Sequence, residues 1–231
     1  MLELDQIEIE QDGFRLCADL AVPRGQKTAV IGPSGAGKST LLSAIAGFIA
    51  PCAGRILWEG RDITGLPPGQ RPMSILFQDQ NLFPHLSVAR NVALGLRPDL
   101  KLSRLEWDRV DEALRRVGLT GLQDRKPGTL SGGQQSRVAL ARALIQARPL
   151  MLLDEPFSAL GPALKTEMLD LVAGIADETE ASVLMVSHDP ADALRFASHT
   201  ILVADGRALP PRDTGELLND PPPALAAYLG K

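Results

Sequence analysis

The stretch GPSGAGKST at residues 32–40 decides the fold of this chain, because it fits the phosphate-binding pattern G-x-x-x-x-G-K-[ST]. Its glycines let backbone N–H groups approach phosphate oxygens with no Cβ in the way. Lys38 supplies a mobile positive charge for the β- and γ-phosphates, and the hydroxyl of Ser39 suits Mg²⁺. The residues predicted to hold the nucleotide here are Gly32, Pro33, Ser34, Gly35, Ala36, Gly37, Lys38, Ser39 and Thr40.

The sequence on either side of this loop matches the surroundings that the motif requires. Residues 27–31 predict a β-strand before the loop, and residues 39–47 predict a helix after it. The positive N-terminal end of such a helix favours a bound anion. A glycine-rich turn that binds nothing is the alternative, since a bare motif match can arise by chance. The predicted strand and helix favour nucleotide binding.

Alternating strand and helix patterns along the chain predict an α/β fold with a mostly parallel sheet. Strands are predicted over residues 2–9, 14–22, 27–31, 55–59, 74–77, 150–153, 182–186 and 200–204. Helices are predicted over residues 39–47, 88–96, 104–117, 133–147, 162–178 and 190–196, with a short helix and a proline-rich loop in the tail. The two opening strands predict an antiparallel β layer, and the helical periodicity of residues 79–147 predicts a helical insertion in the α/β frame.

Composition restricts the classes of protein to which the chain can belong. Its 231 residues suit one large domain or two small ones, and its net charge of −4 argues against a general nucleic-acid binder, whose affinity comes from clustered Lys and Arg. Cys17 and Cys52 form no C-x-x-C pair and predict no disulfide framework. The sequence has neither an apolar run of about 18 residues nor a signal-peptide pattern, so any membrane role is expected to come through a partner.

An acidic pair follows the apolar run LMLL at residues 150–153. A buried parallel strand would deliver Asp154 and Glu155 at its carboxyl end, where open α/β sheets bind their ligands. Asp154 would hold Mg²⁺ through water, and Glu155 would be the general base that aligns the attacking water. The alternative is an acidic pair that merely ends a strand at a loop. The phosphate-binding motif upstream favours the catalytic interpretation.

Gln78 and His188 each follow an apolar strand of the same predicted sheet. The neutral amide of Gln78 could contact both Mg²⁺ and water and so sense the γ-phosphate. His188 could hydrogen-bond the γ-phosphate. A surface glutamine and a structural histidine are the ordinary alternatives, and the surrounding motifs favour function for both.

Residues 130–134, LSGGQ, form a second phosphate-type motif. Ser131 can cap the helix that follows, and Gly132 and Gly133 permit close backbone approach. With Gln134 they make another helix end that attracts anions. The chain thus carries two phosphate-facing elements but one carboxylate strand, and a composite site shared by two chains is the economical explanation.

The motifs GPSGAGKST, Gln78, LSGGQ, LMLLDEP and His188, in this order, resemble those of ABC transporter ATP-binding subunits over essentially the whole chain. The resemblance implies one nucleotide-binding domain over residues 1–231, with a helical subdomain inserted at about 79–147, and ATP and Mg²⁺ as cofactors. It implies a P-loop ATPase core and a head-to-tail homodimer. The dimer would hold two ATPs, each sandwiched between the P-loop of one copy and residues 131–134 of the other.

The same resemblance implies the partners. An integral-membrane permease would place its coupling helix in a groove near residues 78–92. A periplasmic binding protein would be an indirect partner, and no nucleic acid is expected. The chain would then lie at the cytoplasmic face of the bacterial inner membrane.

A closer resemblance covers residues 67–96, PPGQRPMSILFQDQNLFPHLSVARNVALGL, with FSAL at 157–160 and VADGR at 203–207. These stretches are similar to the ATP-binding subunits of bacterial thiamine importers. The short length agrees, because relatives that serve sugar, polyamine or iron import usually carry a further C-terminal regulatory domain. The resemblance implies that ATP hydrolysis here powers import of thiamine or its phosphate esters.

Two positions depart from the family pattern. The family usually has an aromatic residue near position 11 that stacks on adenine; here Gln11 stands there, and Phe14 could substitute. The loop after the catalytic glutamate normally reads SALD, and residues 158–161 read SALG. Gly161 removes a carboxylate that normally helps to couple the two sites across the dimer, so the departure bears on hydrolysis rate and cooperativity rather than on the fold.

Three other functions stay open at this point. The chain could serve another small-solute importer, for iron or polyamine. A non-transport ABC ATPase on DNA or ribosomes is disfavoured, because such members carry long coiled-coil insertions or a second cassette that 231 residues do not accommodate. The third function is that of a regulatory or structural protein that binds ATP without hydrolysing it, and Gly161 leaves this possibility open.

Overall fold

The computed structural model describes residues 1–11, 13–79 and 81–229. The strands are β1 (Leu2–Gln11), β2 (Phe14–Val22), β3 (Lys27–Ile31), β4 (Ala53–Trp58), β5 (Arg61–Asp62), β6 (Met73–Leu76), β7 (Leu150–Asp154), β8 (Ser182–Val186), β9 (His199–Ala204), β10 (Arg207–Ala208) and β11 (Arg212–Asp213). The helices are α1 (Lys38–Ala46), α2 (Val88–Ala93), α3 (Arg104–Arg116), α4 (Gly132–Leu144), α5 (Pro162–Thr179), α6 (Pro190–Phe196), α7 (Thr214–Asn219) and α8 (Pro223–Leu229).

One mixed sheet connects the strands in the order β5-β4-β1-β2-β10-β9-β3-β8-β7-β6, with β11 beside β9. Neighbours from β9 to β6 are parallel, and neighbours from β5 to β2 are antiparallel. The short β10 joins the two halves, because it pairs in parallel with β2 and antiparallel with β9. The predicted α/β fold, with a parallel core and an antiparallel β layer, is confirmed.

The central parallel strands are buried on both faces, which explains their continuous apolar sequences. In β3, Ala29 and Ile31 belong to the apolar cluster that includes α2 to α5, whereas Val30 belongs to the cluster that includes α1 and the antiparallel layer. In β8, Met185 belongs to the first of these clusters and Leu184 to the second. The sheet therefore separates two cores, and α1 packs in the one on the side of the antiparallel layer.

The chain between β6 and β7 is helical, as its periodicity predicts. Helix α2 ends at Ala93 and not at the predicted residue 96, because Gly95 is a poor helix former and Pro98 disfavours helical geometry before it. Helix α4 covers Gly132–Leu144 rather than 133–147, and Pro149 follows closely. The assignment of residues 79–147 as a subdomain inserted in one nucleotide-binding domain stays a prediction.

The longest described helix is α5, which has 18 residues. Across residues 1–11, 13–79 and 81–229, none of the helices combines the length and the apolar character that a bilayer crossing requires.

Arg71 is only 1% exposed and fixes the C-terminal end of α1. Its guanidinium donates to the carbonyls of Ala44 and Ile45 at 2.8 and 2.7 Å. It also donates to the carbonyls of Thr64 and Leu66 at 2.8 and 2.9 Å. The carbonyl of Ala44 also accepts from the N–H of Gly47 at 3.1 Å. A cation at this end of a helix bonds the last carbonyls and interacts favourably with the helix dipole. Arg71 thus anchors the helix that follows the loop of residues 32–37.

Replacing Arg71 by Met should lower the free energy of unfolding by at least about 1–3 kcal/mol, the typical cost of one buried group left without its partner. Arg55→Met is the matched control, because the side chain of Arg55 is 61% exposed and its partner Asp5 lies on the surface. Denaturant unfolding of both variants measures the difference. Equal losses in the two variants would contradict the anchoring role.

Candidate functional site

Three parallel strands of the sheet end side by side at one edge. Strand β3 leads into the loop of residues 32–37, β7 leads into Asp154 and Glu155, and β8 leads into Ser187 and His188. The carboxyl ends of parallel strands are where open α/β sheets bind ligands. The predicted residues from these three segments therefore meet at one place.

A cleft of about 500 Å³ opens at this edge. The residues that line it are Gln11, Phe14, Ser34, Gly35, Gly37, Lys38, Ser39, Thr40 and Glu155. The volume falls within the roughly 300–1,000 Å³ of small-molecule sites. Most of the predicted loop and Phe14 thus share one cleft with the predicted catalytic base.

Two positions of the loop require glycine, because neighbouring groups on either side of the loop leave no room for a Cβ. At Gly32, where φ is 151°, a Cβ would lie 1.9 Å from the carbonyl oxygen of Val203 in β9. At Gly37, where φ is 99°, a Cβ would lie 2.8 Å from the ring of Phe14. The loop is therefore held between the parallel core and Phe14, which is partly buried against it. Ala36 closes a turn inside the loop by donating its N–H to the carbonyl of Pro33 at 3.2 Å.

Lys38 is 8% exposed and folds back over its own loop. Its ammonium donates to the carbonyls of Gly32 and Pro33, both at 2.9 Å. Burial lowers the pKa of Lys38, whereas the charges of Glu155 and Asp154 raise it, and the net direction is down. An ammonium has three N–H donors, so one remains for a further acceptor such as a phosphate oxygen.

Ser39 and Asp154 form a direct contact between the loop and β7. The hydroxyl of Ser39 donates to the Asp154 carboxylate at 3.0 Å. Burial raises the pKa of Asp154, and the charge of Glu155 acts in the same direction; the Ser39 hydrogen bond and the Lys38 charge oppose both. A hydroxyl and a carboxylate oxygen side by side are the hard oxygen ligands that Mg²⁺ prefers, so these residues fit the predicted ion.

Glu155 adopts the left-handed backbone conformation, with φ 45°, directly after β7. Its N–H donates to the carbonyl of Val186 at 3.2 Å, which holds this strained residue against β8. Its carboxylate lies 3.2 Å from Nδ1 of His188. The two residues predicted from separate segments are therefore paired side by side.

Tyr228 is a residue that the sequence did not predict at this site. Its hydroxyl in α8 donates to the backbone carbonyl of His188. Burial raises the pKa of Tyr228, and the charges of Glu155 and Asp189 act in the same direction. It is the chain's one tyrosine, but its segment was predicted as part of a proline-rich tail, and no local pattern could place it next to His188.

Gln78 lies two residues beyond β6, the strand that pairs with β7. It is exposed and stands outside the set of residues that line the cleft. The structure thus places Gln78 near the same sheet edge without drawing it into the cleft. Its part in sensing a phosphate stays a prediction.

Residues 131–134 also lie outside the lining of the cleft and begin α4. Ser131 and Gln134 cap the helix reciprocally, since the Ser131 hydroxyl accepts from the Gln134 N–H at 3.3 Å and the Gln134 side chain accepts from the Ser131 N–H at 3.0 Å. In this bond the hydroxyl is an acceptor, so its own hydrogen is available to a ligand. A Cβ on Gly132 would meet open space, whereas one on Gly133 would lie 2.2 Å from Leu164.

Gly161 occupies the N-cap position of α5, with φ −65° and ψ 158° and no side chain to cap the helix. A Cβ here would meet open space, so an aspartate fits this position sterically. Asp is a preferred N-cap residue. The departure at residue 161 therefore removes a helix cap as well as a carboxylate.

Comparisons with known proteins agree with this geometry. The ABC transporter family matches residues 17–158 of the chain. The chain is 64% identical over 230 residues to the thiamine import ATP-binding protein ThiQ of Cereibacter sphaeroides, with 100% of both chains covered. It is 48% identical over 219 residues to the protein of the same name from Escherichia coli K12, which covers 95% of this chain and 94% of that one.

Solved structures show the same fold. A dimeric ATP-binding cassette in a post-hydrolysis state, bound to ADP and Pi, has a TM-score of 0.80 and 28% identity over 93% of this chain and 99% of that one. The protein cbiO1 of Clostridium perfringens, part of an ABC transporter complex, has a TM-score of 0.84 and 30% identity over 95% of this chain and 90% of that one. On the matched residues, the full-length relatives and the shared fold, the chain belongs to the ABC transporter family.

Proposed function

We propose that this chain is the ATP-hydrolysing subunit that powers import of thiamine, or of its phosphate esters, through a membrane ABC transporter. The observation that carries the proposal is the full-length 64% identity to a thiamine import ATP-binding protein. The cleft supports the ATPase part, because it joins a phosphate-binding loop to a carboxylate that can act as a base.

ATP binds with its phosphates on the loop of residues 32–40. The backbone N–H groups and the positive end of α1 face the phosphates, and the third N–H of Lys38 bonds an oxygen of the β- or γ-phosphate. Phe14 lines the cleft and packs against Gly37. Its ring takes the stacking role on adenine that Gln11 cannot perform.

Ser39, Asp154 and Gln78 are the residues that would hold Mg²⁺ beside the phosphates, where the ion would offset negative charge. Ser39 would contribute its hydroxyl and Asp154 its carboxylate through water, and Gln78, which lies two residues beyond β6 and outside the lining of the cleft, would add its amide oxygen. The 3.0 Å contact between Ser39 and Asp154 supports this arrangement, because it brings two oxygen ligands from distant segments together.

Glu155 acts as the general base. It accepts a proton from the water that attacks the γ-phosphorus, the bond from that phosphorus to the bridging oxygen breaks, and ADP and phosphate result. The 3.2 Å contact with Nδ1 of His188 orients the carboxylate. When the imidazole is protonated, its Nε2 also donates and can bond a γ-phosphate oxygen.

Two copies of the chain form a head-to-tail homodimer. Ser131, Gly132, Gly133 and Gln134 lie outside the cleft of their own chain, and the Ser131 hydroxyl hydrogen is free to bond a phosphate. The open space at Gly132 permits close approach of a second chain. Each copy therefore completes the ATP site of the other.

A membrane permease docks on the surface around residues 78–92. Asn91 is 0% exposed and bonds the N–H and the carbonyl of Phe83 at 2.8 and 3.1 Å, which fixes a loop whose Phe83 ring is 46% exposed. The ring of Phe48 is 55% exposed, and its centroid lies 5.7 Å from that of Phe77, the residue directly before this segment. Exposed rings on a fixed loop are typical of a docking surface. The chain is then held at the cytoplasmic face of the inner membrane, and a periplasmic binding protein is an indirect partner.

Replacing Lys38 by Ala should weaken Mg-ATP binding by about 10- to 100-fold, the range expected when a hydrogen bond to a charged group is lost. Lys101→Ala, which removes one exposed positive charge elsewhere, is the control. Equilibrium titration with a fluorescent ATP analogue gives both affinities. Equal affinities in the two variants would remove Lys38 from the site.

Replacing Glu155 by Gln should keep ATP binding and lower turnover by about 10²–10⁴-fold, since general-base help is typically of this size. Glu59→Gln, on the exposed end of the antiparallel layer, is the control. Phosphate release measures the rate. Turnover of Glu155→Gln within a few-fold of the parent would show that another group is the base.

Replacing Ser131 by Arg in the Glu155→Gln background should leave ATP binding by the single chain intact and prevent the ATP-dependent dimer, because a bulky cation would enter the other copy's phosphate site. Ser103→Arg is a close control, since Ser103 caps α3 with the same reciprocal bonds. Size-exclusion chromatography with Mg-ATP gives the result. A dimer that persists in Ser131→Arg would contradict the shared site.

Labelled thiamine uptake tests the proposed cargo. In cells that lack this chain and have no second thiamine importer, uptake should be lost, restored by the parent and not restored by Glu155→Gln. Uptake of a labelled polyamine by the same cells is the control for a different cargo. Normal thiamine uptake in the deletion would rule the assignment out.

A further inference from the structure

Lys165, in the first turn of α5, reaches the loop that carries His188. Its ammonium lies 3.0 Å from a carboxylate oxygen of Asp189 and 2.7 Å from one of Asp192. The side chains of Lys165 and Asp192 are only 17% and 10% exposed. The ion pair between Lys165 and Asp192 is therefore largely shielded from water, whereas the Asp189 side chain is 41% exposed. Loss of Lys165 would leave both carboxylates without this cation.

The two carboxylates connect Lys165 to both neighbours of His188 in the chain, because Asp192 bonds Ser187 and Asp189 is itself the residue after His188. Asp192 accepts from the hydroxyl of Ser187 at 2.5 Å, and the Ser187 oxygen accepts from the N–H of Asp189 at 3.1 Å. Asp189 also caps α6, because its second carboxylate oxygen accepts from the N–H of Ala191 at 2.9 Å. The residues on both sides of His188 are thus held by groups that meet at one cation.

The cation is well matched to this environment. Burial acts to lower the pKa of Lys165, but its hydrogen bonds to Asp192 and Asp189, together with the charges of these two carboxylates, outweigh burial and raise the pKa. The hydrogen bond from Lys165 lowers the pKa of Asp189. Lys165 is therefore charged at neutral pH, and so is the carboxylate of Asp189.

The same helical turn also contacts α4. The side chain of Leu164 fills the space that a Cβ on Gly133 would occupy, at 2.2 Å from that position. The turn begins at Gly161, whose carbonyl accepts from the N–H of Lys165 at 2.9 Å. One turn of α5 therefore touches the LSGGQ helix through Leu164 and the His188 loop through Lys165.

We propose that Lys165 is a positioning residue for ATP hydrolysis, which holds residues 187–189 so that His188 stays beside Glu155. Leu164, the residue before Lys165, packs on Gly133, so the same turn of α5 also links the His188–Glu155 pair to helix α4. This link exists in a chain that has glycine and not a carboxylate at residue 161. The inference rests on the ATPase activity proposed above. Lys165 does not touch the nucleotide, so its effect should fall on the rate and not on ATP affinity.

Lys165→Met should lower kcat by about 10- to 100-fold, the range that a displacement of about 1 Å can produce, and should change the affinity for Mg-ATP little. Lys165→Arg, which restores the charge, should recover most of the rate. The matched control is Lys27→Met, which breaks a 2.6 Å ion pair with Asp177 at the other end of α5, where the lysine side chain is 22% exposed. It should turn over ATP at the parent rate.

Asp189→Asn keeps the test decisive if Lys165→Met does not fold. Asn caps a helix about as well as Asp, so α6 is retained while the ion pair between Lys165 and Asp189 is lost and the contact of Lys165 with Asp192 remains. The value of kcat should again fall, by less than in Lys165→Met, with unchanged ATP affinity. The inference is overturned if Asp189→Asn turns over at the parent rate, if Lys165→Met matches Lys27→Met, or if Lys165→Arg fails to recover the rate. If the parent chain itself does not turn over ATP, the proposed function fails as well. If the parent is active and the variants give one of the results above, only the role of Lys165 fails.

Discussion

The parallel pairing of β3, β8 and β7 is the constraint on which the site depends. The register places Val30 beside Val186, and Leu153 beside Met185, so the chain leaves all three strands at one edge of the sheet. The contacts between Ser39 and Asp154 and between Glu155 and His188 then bond the three emerging loops to one another. The residues proposed for phosphate binding, metal binding and base catalysis are thus brought together from separate segments by backbone pairing and by these two side-chain contacts.

The sequence was informative wherever a pattern was long or a motif was local. The apolar runs of the buried strands and the glycines of the loop predicted the parallel core and its anion site. The two-residue strand β10 joins the two halves of the sheet, but two residues carry no periodicity, so this connection was not predictable. Lys165 and Tyr228 act through partners far away in the chain, and no local signal marks such contacts.

The two departures from the family pattern acquire a physical meaning in the structure. Phe14 sits against Gly37 in the same cleft as the phosphate-binding loop, which keeps an aromatic ring at the site although residue 11 is a glutamine. Gly161 starts α5 without a side-chain cap, so the first turn of this helix depends more on its contacts with neighbouring elements. The Lys165 cluster and the packing of Leu164 on Gly133 are two such contacts, and both lead to segments with a proposed role in hydrolysis.

The Mg²⁺ dependence of ATP affinity, measured for the parent and for Asp154→Asn, tests most directly whether the strand ends assemble one metal-nucleotide site. Mg²⁺ should strengthen ATP binding by the parent. Asp154→Asn should lose most of that strengthening yet bind Mg²⁺-free ATP at least as well as the parent, because a negative charge beside the phosphates has been removed. An undiminished Mg²⁺ effect in Asp154→Asn would contradict the account.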